Sequence, residues 1–395
     1  MRITYFADVR FPLERANGIQ TMETCYALAT RGHTVDLIVR PDTHTPARDP
    51  YAYYGLTPDS RLRVERAPVS GPAAARRFGY LAFAVGRSLG TARADVLMTR
   101  DLGVASAILQ LPRSARPPLV YESHGYAPEV AAALPSLVAT ATPPSPRKLR
   151  RLTAREERVW RTAEGYVTIT AALRTELEDR FGSRPRLAVV PDGVRAAVRT
   201  DAGARGSERR LVAYAGHLYA WKGVDVLLEA LARIPDATGL IIGGHSAEPD
   251  LERTKLVAER LGIAARVTFT GLVEPVRVAE LLTQADVLAL PNPASAISTR
   301  YTSPLKLFEY MAARRPIVSS DLPSIREVLR DGVNALLVPP GDPVALSNAI
   351  TRLFNDQALA ARLAETAFEQ VPNYSWERRA ERLDALLSET IAAGR

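Results

Sequence analysis

Short apolar runs alternate with longer stretches of helical period almost from one end of the chain to the other. RITYFAD at 2–8 is the first run. Met22, Cys25, Tyr26 and Ala29 recur at helical spacing over 20–31, which predicts a helix stopping at Gly32-His33. TVDLIVR at 34–40 predicts the next strand. LRVERAPV at 62–69, DVLMTRD at 95–101, PLVYESHG at 118–125, GYVTIT at 165–170 and RLAVVPDGV at 186–194 continue the series. Helix-like stretches separate most of them, so the strands should pair in parallel within a doubly wound sheet.

RAAVRTDAGARGSERR at 195–210 is small and polar and reads as a linker. The alternation then restarts with LVAYAGH at 211–217, TGLIIGG at 238–244, RVTFTGL at 266–272, DVLALPN at 286–292, PIVSSD at 316–321 and ALLVPP at 335–340. A last helical stretch begins at Trp376. Two α/β units of similar size would place a ligand in the cleft between them, at the carboxyl ends of the strands. Residues 127–150 break the pattern with repeated Ala, Leu and Pro, followed by PRKLRR at 146–151. So long an irregular stretch in a compact domain is usually functional or mobile. It reads as a surface loop with a basic end, or as a flap that faces an acceptor or touches a membrane.

A length of 395 residues fits two domains. With 47% hydrophobic and 24% charged residues the chain should be globular, not largely disordered. No apolar stretch is long enough for a spanning helix, and the start of the chain does not read as a secretory signal. Cys25 is the single cysteine, so neither an intrachain disulfide nor a cysteine metal cluster can form. A cytoplasmic protein is expected. The net charge of +8 favours anionic partners without choosing among nucleotides, acidic membranes and nucleic acid. No zinc-finger spacing or aromatic-plus-basic RNA signature is present, so no nucleic-acid partner is expected.

The segment TSPLKLFEYMA at 302–312 carries the most chemistry. Ser303 suits an N-cap and Pro304 a first helical position, with Leu305 and Phe308 on a buried stripe. Free N–H groups at such a helix start bind anions. Lys306 and Glu309 lie three apart on one face, the lysine placed for phosphate and the carboxylate for ribose hydroxyls. The plainer alternative is an exposed helical ion pair worth roughly a few tenths of a kcal/mol. In YAGHLYAWKG at 214–223, Gly216 lets the backbone approach a ligand, and His217 and Lys222 stand at a strand end where two cations could stabilise a leaving diphosphate. Either taken alone reads as a solvated surface group before it reads as a site residue. Asn17-Gly18-Ile19-Gln20 resembles a short anion loop, although a lone glycine in such a turn is usually structural. His124, in Glu122-Ser123-His124-Gly125, either caps a loop or lines the ligand site.

These segments together resemble the family-four glycosyltransferases, the large retaining family of GT-B architecture, over nearly the whole chain. The glycine loop is matched by Asn17-Gly18-Ile19, with LATRGHTVDLIV as its sequel, and the strand-end histidine by His124. VVPDGV at 189–194 resembles the turn that leaves the first domain. Gly216-His217-Leu218 and Lys222-Gly223 match the family's Gly-Arg-Leu and Lys-Gly in spacing, and SPLKLFEYMAARRPIVSSDLPSIREVL at 303–329 is the strongest stretch. Tyr374-Ser375-Trp376 resembles the point where the last helix crosses back.

The resemblance implies two Rossmann-like domains facing each other across a cleft. The first is an acceptor domain, 1–195, completed by a helix at about 375–395, and the second a donor domain, 196–374. It implies sugar transfer with retention, with no cofactor and no metal, from a nucleotide-sugar co-substrate, a UDP-sugar being the default. Sugars, lipid-linked molecules and small molecules all remain as acceptors. Glu309 would bind ribose. Ser303, Pro304, Leu305, Lys306, Gly18 and Gly216 would meet the donor, and Gly271, Leu272 and Val273 would form the nucleobase pocket. His124, His217 and Lys222 would act in catalysis. Two departures stand out. Tyr301, followed by Thr302, occupies the place of a sugar-contacting Glu, and His217 replaces an Arg. They leave room for a non-catalytic nucleotide-sugar binder or a sugar-nucleotide epimerase on the same fold. Peripheral contact with the inner face of a membrane and the oligomeric state stay open.

Overall fold

The computed structural model describes residues 1–89, 94–137, 141–195, 210–245, 248–301 and 305–394. Its strands follow the apolar runs one for one. β1 (Arg2–Arg10), β2 (Thr34–Arg40), β3 (Leu62–Arg66), β4 (Val96–Thr99), β5 (Leu119–Ser123), β6 (Gly165–Thr168) and β7 (Leu187–Val189) form a seven-stranded sheet of order β3-β2-β1-β4-β5-β6-β7. β8 (Arg210–Ala215), β9 (Ala237–Ile242), β10 (Val267–Gly271), β11 (Val287–Leu290), β12 (Ile317–Ser320) and β13 (Leu336–Val338) form a six-stranded sheet of order β10-β9-β8-β11-β12-β13. Every pairing in both is parallel. The order reverses at β1/β4 and again at β8/β11, the switch points where doubly wound sheets bind ligands.

The chain divides into two compact units. One comprises Met1–Ala132, Pro144–Gly193 and Trp376–Arg395, the other Ala133–Pro143 and Val194–Ser375. In the first, the closing helix Trp376–Ala392 packs on the helix Ala16–Thr30 and beside β6 and β7. In the second, successive strand residues feed opposite cores. Val212, Tyr214 and Ile241 join one cluster, while Ala213, Ala215, Leu240 and Ile242 join the other. This is the period-two alternation of a sheet covered on both faces.

Residues 127–150 correct the loop expectation. They hold the helix Ala127–Leu137 and the start of the helix Pro146–Thr162. Ser145 caps the second helix by accepting from Lys148 N at 3.2 Å, with Pro146 in its first turn. Glu156 reaches across to accept from Ala127 N at 3.0 Å, at the start of the first helix. Prolines that punctuate a sequence thus mark a helix start here instead of a coil. Within the expected linker, residues 196–209 lie outside the described residues. No described helix is long and apolar enough to cross a membrane.

Candidate functional site

In the second unit, β8 ends at Ala215 and the chain turns at Gly216 with φ +135°. A side chain there would meet Lys306: an added Cβ would lie 2.7 Å from its Nζ. The helix Leu305–Ala312 is pinned to the strand ends through Tyr310, whose hydroxyl accepts from Ala215 N at 2.8 Å and donates to Ala289 O at 3.3 Å. That anchor sets Lys306 and Glu309, one turn apart, beside the end of β8. Lys306 Nζ donates to the Tyr214 hydroxyl at 2.8 Å and lies 4.1 Å from the centre of its ring. The Tyr214 hydroxyl in turn donates to His217 O at 2.7 Å.

The charges in this place are poorly compensated. Burial, then the nearby Lys222 charge, pushes the Lys306 ammonium well below its ordinary range, against the pull of Glu309. Burial brings Lys222 down to about 7. Burial lifts Glu309 to about 7, opposed by Lys306. Lys222 Nζ sits 3.6 Å from the centre of the Trp221 ring, and the Trp221, Tyr219 and His217 rings follow one another in a stack. Glu248 accepts from the Tyr219 hydroxyl at 2.8 Å and has its other oxygen 3.5 Å from His217 Nδ1. The structure therefore gathers Gly216, His217, Lys222, Lys306 and Glu309 at the carboxyl end of one sheet.

The remaining sequence candidates fall as follows. Leu305 is buried as the first residue of its helix. Thr302, Ser303 and Pro304 lie outside the described residues. Tyr301 is 4% exposed and caps the helix Ala296–Arg300, its N–H donating to Ile297 O at 2.9 Å. Gly271 ends β10 with φ +68° and bridges to Gly243. Leu272 beyond it is exposed, and Val273 packs on a core cluster. Gly18 sits inside the helix Ala16–Thr30, not in an open loop. An added Cβ would lie 2.3 Å from Leu13 O and 2.5 Å from the Tyr54 hydroxyl, so a packing demand explains the glycine.

In the first unit, His124 belongs to a network that the sequence hid. Glu122, fully buried at the end of β5, receives Gln20 Nε2 at 2.6 Å, His124 Nε2 at 2.6 Å and Arg379 Nη2 at 2.7 Å, all on Oε1. Gln20 Oε1 accepts from Arg100 Nη1 at 2.6 Å. Arg379 also donates to Thr24 Oγ1 at 3.0 Å, Val190 O at 2.9 Å and Pro191 O at 2.7 Å. Burial alone would raise the Glu122 carboxyl, but Arg379, the His124 hydrogen bond and Arg100 hold it far below its ordinary range. Burial and Arg100 lower His124, against Glu122. An ionised Glu122 requires the proton on Nε2, so a neutral His124 presents Nδ1 as an acceptor. Gln20, the last residue of the glycine segment, is that segment's contribution to the network.

Residues 18–198 match the family model described as Glycosyltransferase Family 4, and residues 209–356 the one described as Glycosyl transferases group 1. A D-inositol 3-phosphate glycosyltransferase of Xylanimonas cellulosilytica is 30% identical over 242 residues, 57% of this chain and 57% of that protein. The aligned stretch takes in about half the length of such curated relatives. Sucrose-phosphate synthase from Thermosynechococcus elongatus superposes with a TM-score of 0.80 over 99% of both chains, at 21% identity. Anabaena HepE, solved with UDP-glucose, gives 0.73 over 98% of this chain and 100% of its own, at 19% identity.

Proposed function

Because the chain belongs to the family-four glycosyltransferases and carries their GT-B fold of two Rossmann-like units, we propose that it moves a sugar from a nucleoside diphosphate sugar to an acceptor hydroxyl, with retention and without a metal. One observation carries the reading. Lys222 and Lys306 repel one another beside the end of β8, and burial depresses both. Glu309 is the carboxylate that pulls the other way on Lys306. A diphosphate supplies the negative charge that this arrangement lacks.

Charge develops on the diphosphate as the glycosidic bond breaks, so cations already in place stabilise the transition state more than the bound donor. Lys222 and Lys306 take that role, and the chain at Ser303–Leu305 meets the same phosphates. Glu309 accepts from the ribose. His124, oriented by Glu122, accepts a sugar hydroxyl at Nδ1. Retention requires the acceptor hydroxyl to arrive on the face that the diphosphate leaves, and a departing phosphate oxygen is then the base closest to its proton. The first unit supplies the acceptor site, and Gly271–Val273 the wall beside the base. UDP-glucose, seen with HepE, is the first donor to try.

The test is nucleotide release from a panel of nucleotide sugars, with and without acceptors, followed by the anomeric configuration of the product by NMR. Acceptor-dependent release, a retained configuration and indifference to chelator are expected. Inversion or chelator sensitivity would overturn the corresponding part. Tyr301, buried at the position where the resemblance expects a carboxylate, favours a second reading of donor binding without transfer. Saturable donor binding with no release under any acceptor would establish it, and an isomerised nucleotide sugar would indicate an epimerase.

A further inference from the structure

The helix Ala73–Leu89 of the first unit turns an apolar stripe to solvent as well as to the core. Its buried positions are Tyr80, Ala84 and Ser88. Its solvent stripe, at spacings of three and four, is Ala75, Phe78, Ala82, Gly86 and Leu89. No position in that stripe is polar. Phe78 is 76% exposed and Leu89 50%. Arg76 and Arg77 stand near one end, whereas Arg87 is tied to Glu65 at 3.2 Å.

A second anomaly lies two helices away on the same unit. The short helix Leu102–Ile108 packs against Ala73–Leu89 on one side and against Pro146–Thr162 on the other. On Pro146–Thr162, Arg147, Arg151, Arg155 and Arg158 follow one another at spacings of four, four and three, a single stripe. Several arginines elsewhere in the chain find carboxylates, among them Arg10, Arg48, Arg116, Arg174, Arg180 and Arg379, and others, such as Arg184 and Arg266, donate to backbone carbonyls. None of the four in the stripe has an ion pair among the described residues, and Arg161, off the stripe, is the one on this helix that pairs with Glu157. Arg155 is held below its ordinary range by burial, then by the charges of Arg151 and of Arg77 on the helix Ala73–Leu89, with Asp101 pulling the other way.

We propose that this face of the first unit, the apolar stripe of Ala73–Leu89 together with the arginine stripe of Pro146–Thr162, docks on an anionic bilayer surface. A bilayer answers both halves at once. Phe78 and Leu89 enter the headgroup boundary, where apolar side chains leave water without needing a shaped pocket. The arginines meet lipid phosphates, which attract each cation within about a Debye length of the surface. The net charge of +8 gives the same sign at longer range. The proposal asks nothing of catalysis, because none of these residues has been placed in the donor or sugar site.

The test is sedimentation of the full chain with phosphatidylcholine vesicles, with and without phosphatidylglycerol. Binding is expected only where phosphatidylglycerol is present, and it should weaken as salt is added. A double variant, Phe78→Ser with Leu89→Ser, and a triple variant, Arg147→Glu with Arg151→Glu and Arg158→Glu, should each lose roughly tenfold or more in vesicle affinity. Both should keep the wild-type unfolding midpoint, since the changed side chains are at the surface. Wild-type protein that stays in solution with phosphatidylglycerol vesicles would overturn the proposal, as would variants that bind like wild type. Lipid-free dimers that the double variant dissolves, without vesicle binding, would make a second copy the occupant and overturn it too. Nucleotide release in the absence of vesicles is read separately, so failure here leaves the catalytic reading standing, and the reverse.

Discussion

Lys222 and Glu309 change charge in the same pH range for the same reason: burial brings the ammonium down to about 7 and the carboxyl up to about 7. Their consequences for ligand binding have opposite signs. A nucleoside diphosphate favours the charged lysine, so binding takes up a proton above about pH 7 and affinity falls as pH rises. Ribose hydroxyls favour the ionised Glu309, so affinity falls as pH drops below about 7. The expected profile for binding of UDP-glucose, whose diphosphate has no group titrating in this range, is a maximum near neutrality. Glu309→Gln removes the acid limb, leaving affinity lower overall and declining only toward alkaline pH. Titration calorimetry over pH 5–9 on both proteins measures this. An acid limb that persists in Glu309→Gln would place its origin elsewhere. The same lysines were visible in the sequence as motif positions, but their mutual repulsion was not. It depends on Lys306 standing over Gly216 and Tyr214, which only the folded strand ends bring about.

At the scale of elements, the closing helix Trp376–Ala392 does more than cover the first sheet. It carries Arg379 to Glu122, 257 positions earlier in the chain, and to the carbonyls after β7. Removing one partner of such a buried pair strands the other, at a cost of about 3–5 kcal/mol. Arg379→Met should therefore lower the stability of the first unit by roughly that amount in urea unfolding, and disturb His124, which shares Glu122. Its acid behaviour follows from the depressed Glu122. The contribution is complete above the unfolded carboxyl value of about 4.3 and is lost as pH falls toward the folded one. Arg379→Met should thus lose stability less steeply than wild type on acidification. A variant as stable as wild type would show that Gln20 and His124 suffice to hold the carboxylate. Sequence could mark Glu122 only as a strand-end residue beside His124. Nothing local distinguishes Arg379 from the other arginines of its helix. Conversely, Ser145-Pro146 was a readable helix start that the surrounding Ala, Leu and Pro obscured.

For the whole molecule, the architecture was legible because each buried strand is a short apolar run and each crossover a helical one, which leaves parallel sheets as the consistent arrangement. Strand ends were less legible: β1 runs on to Arg10, and the run at 186–194 yields only Leu187–Val189 before Pro191. Of the candidate site, residues at strand and helix ends were found from motif spacing, while the supporting network had to come from distant segments. In the proposed mechanism Lys222 and Lys306 act on charge that appears as the nucleotide departs. The most direct measurement compares steady-state transfer by wild type and Lys222→Ala, with donor affinity determined separately by calorimetry. A fall in turnover on the order of 10²–10³, with a much smaller change in donor affinity, is the expected result. Unchanged turnover, or a loss confined to donor affinity, would contradict it.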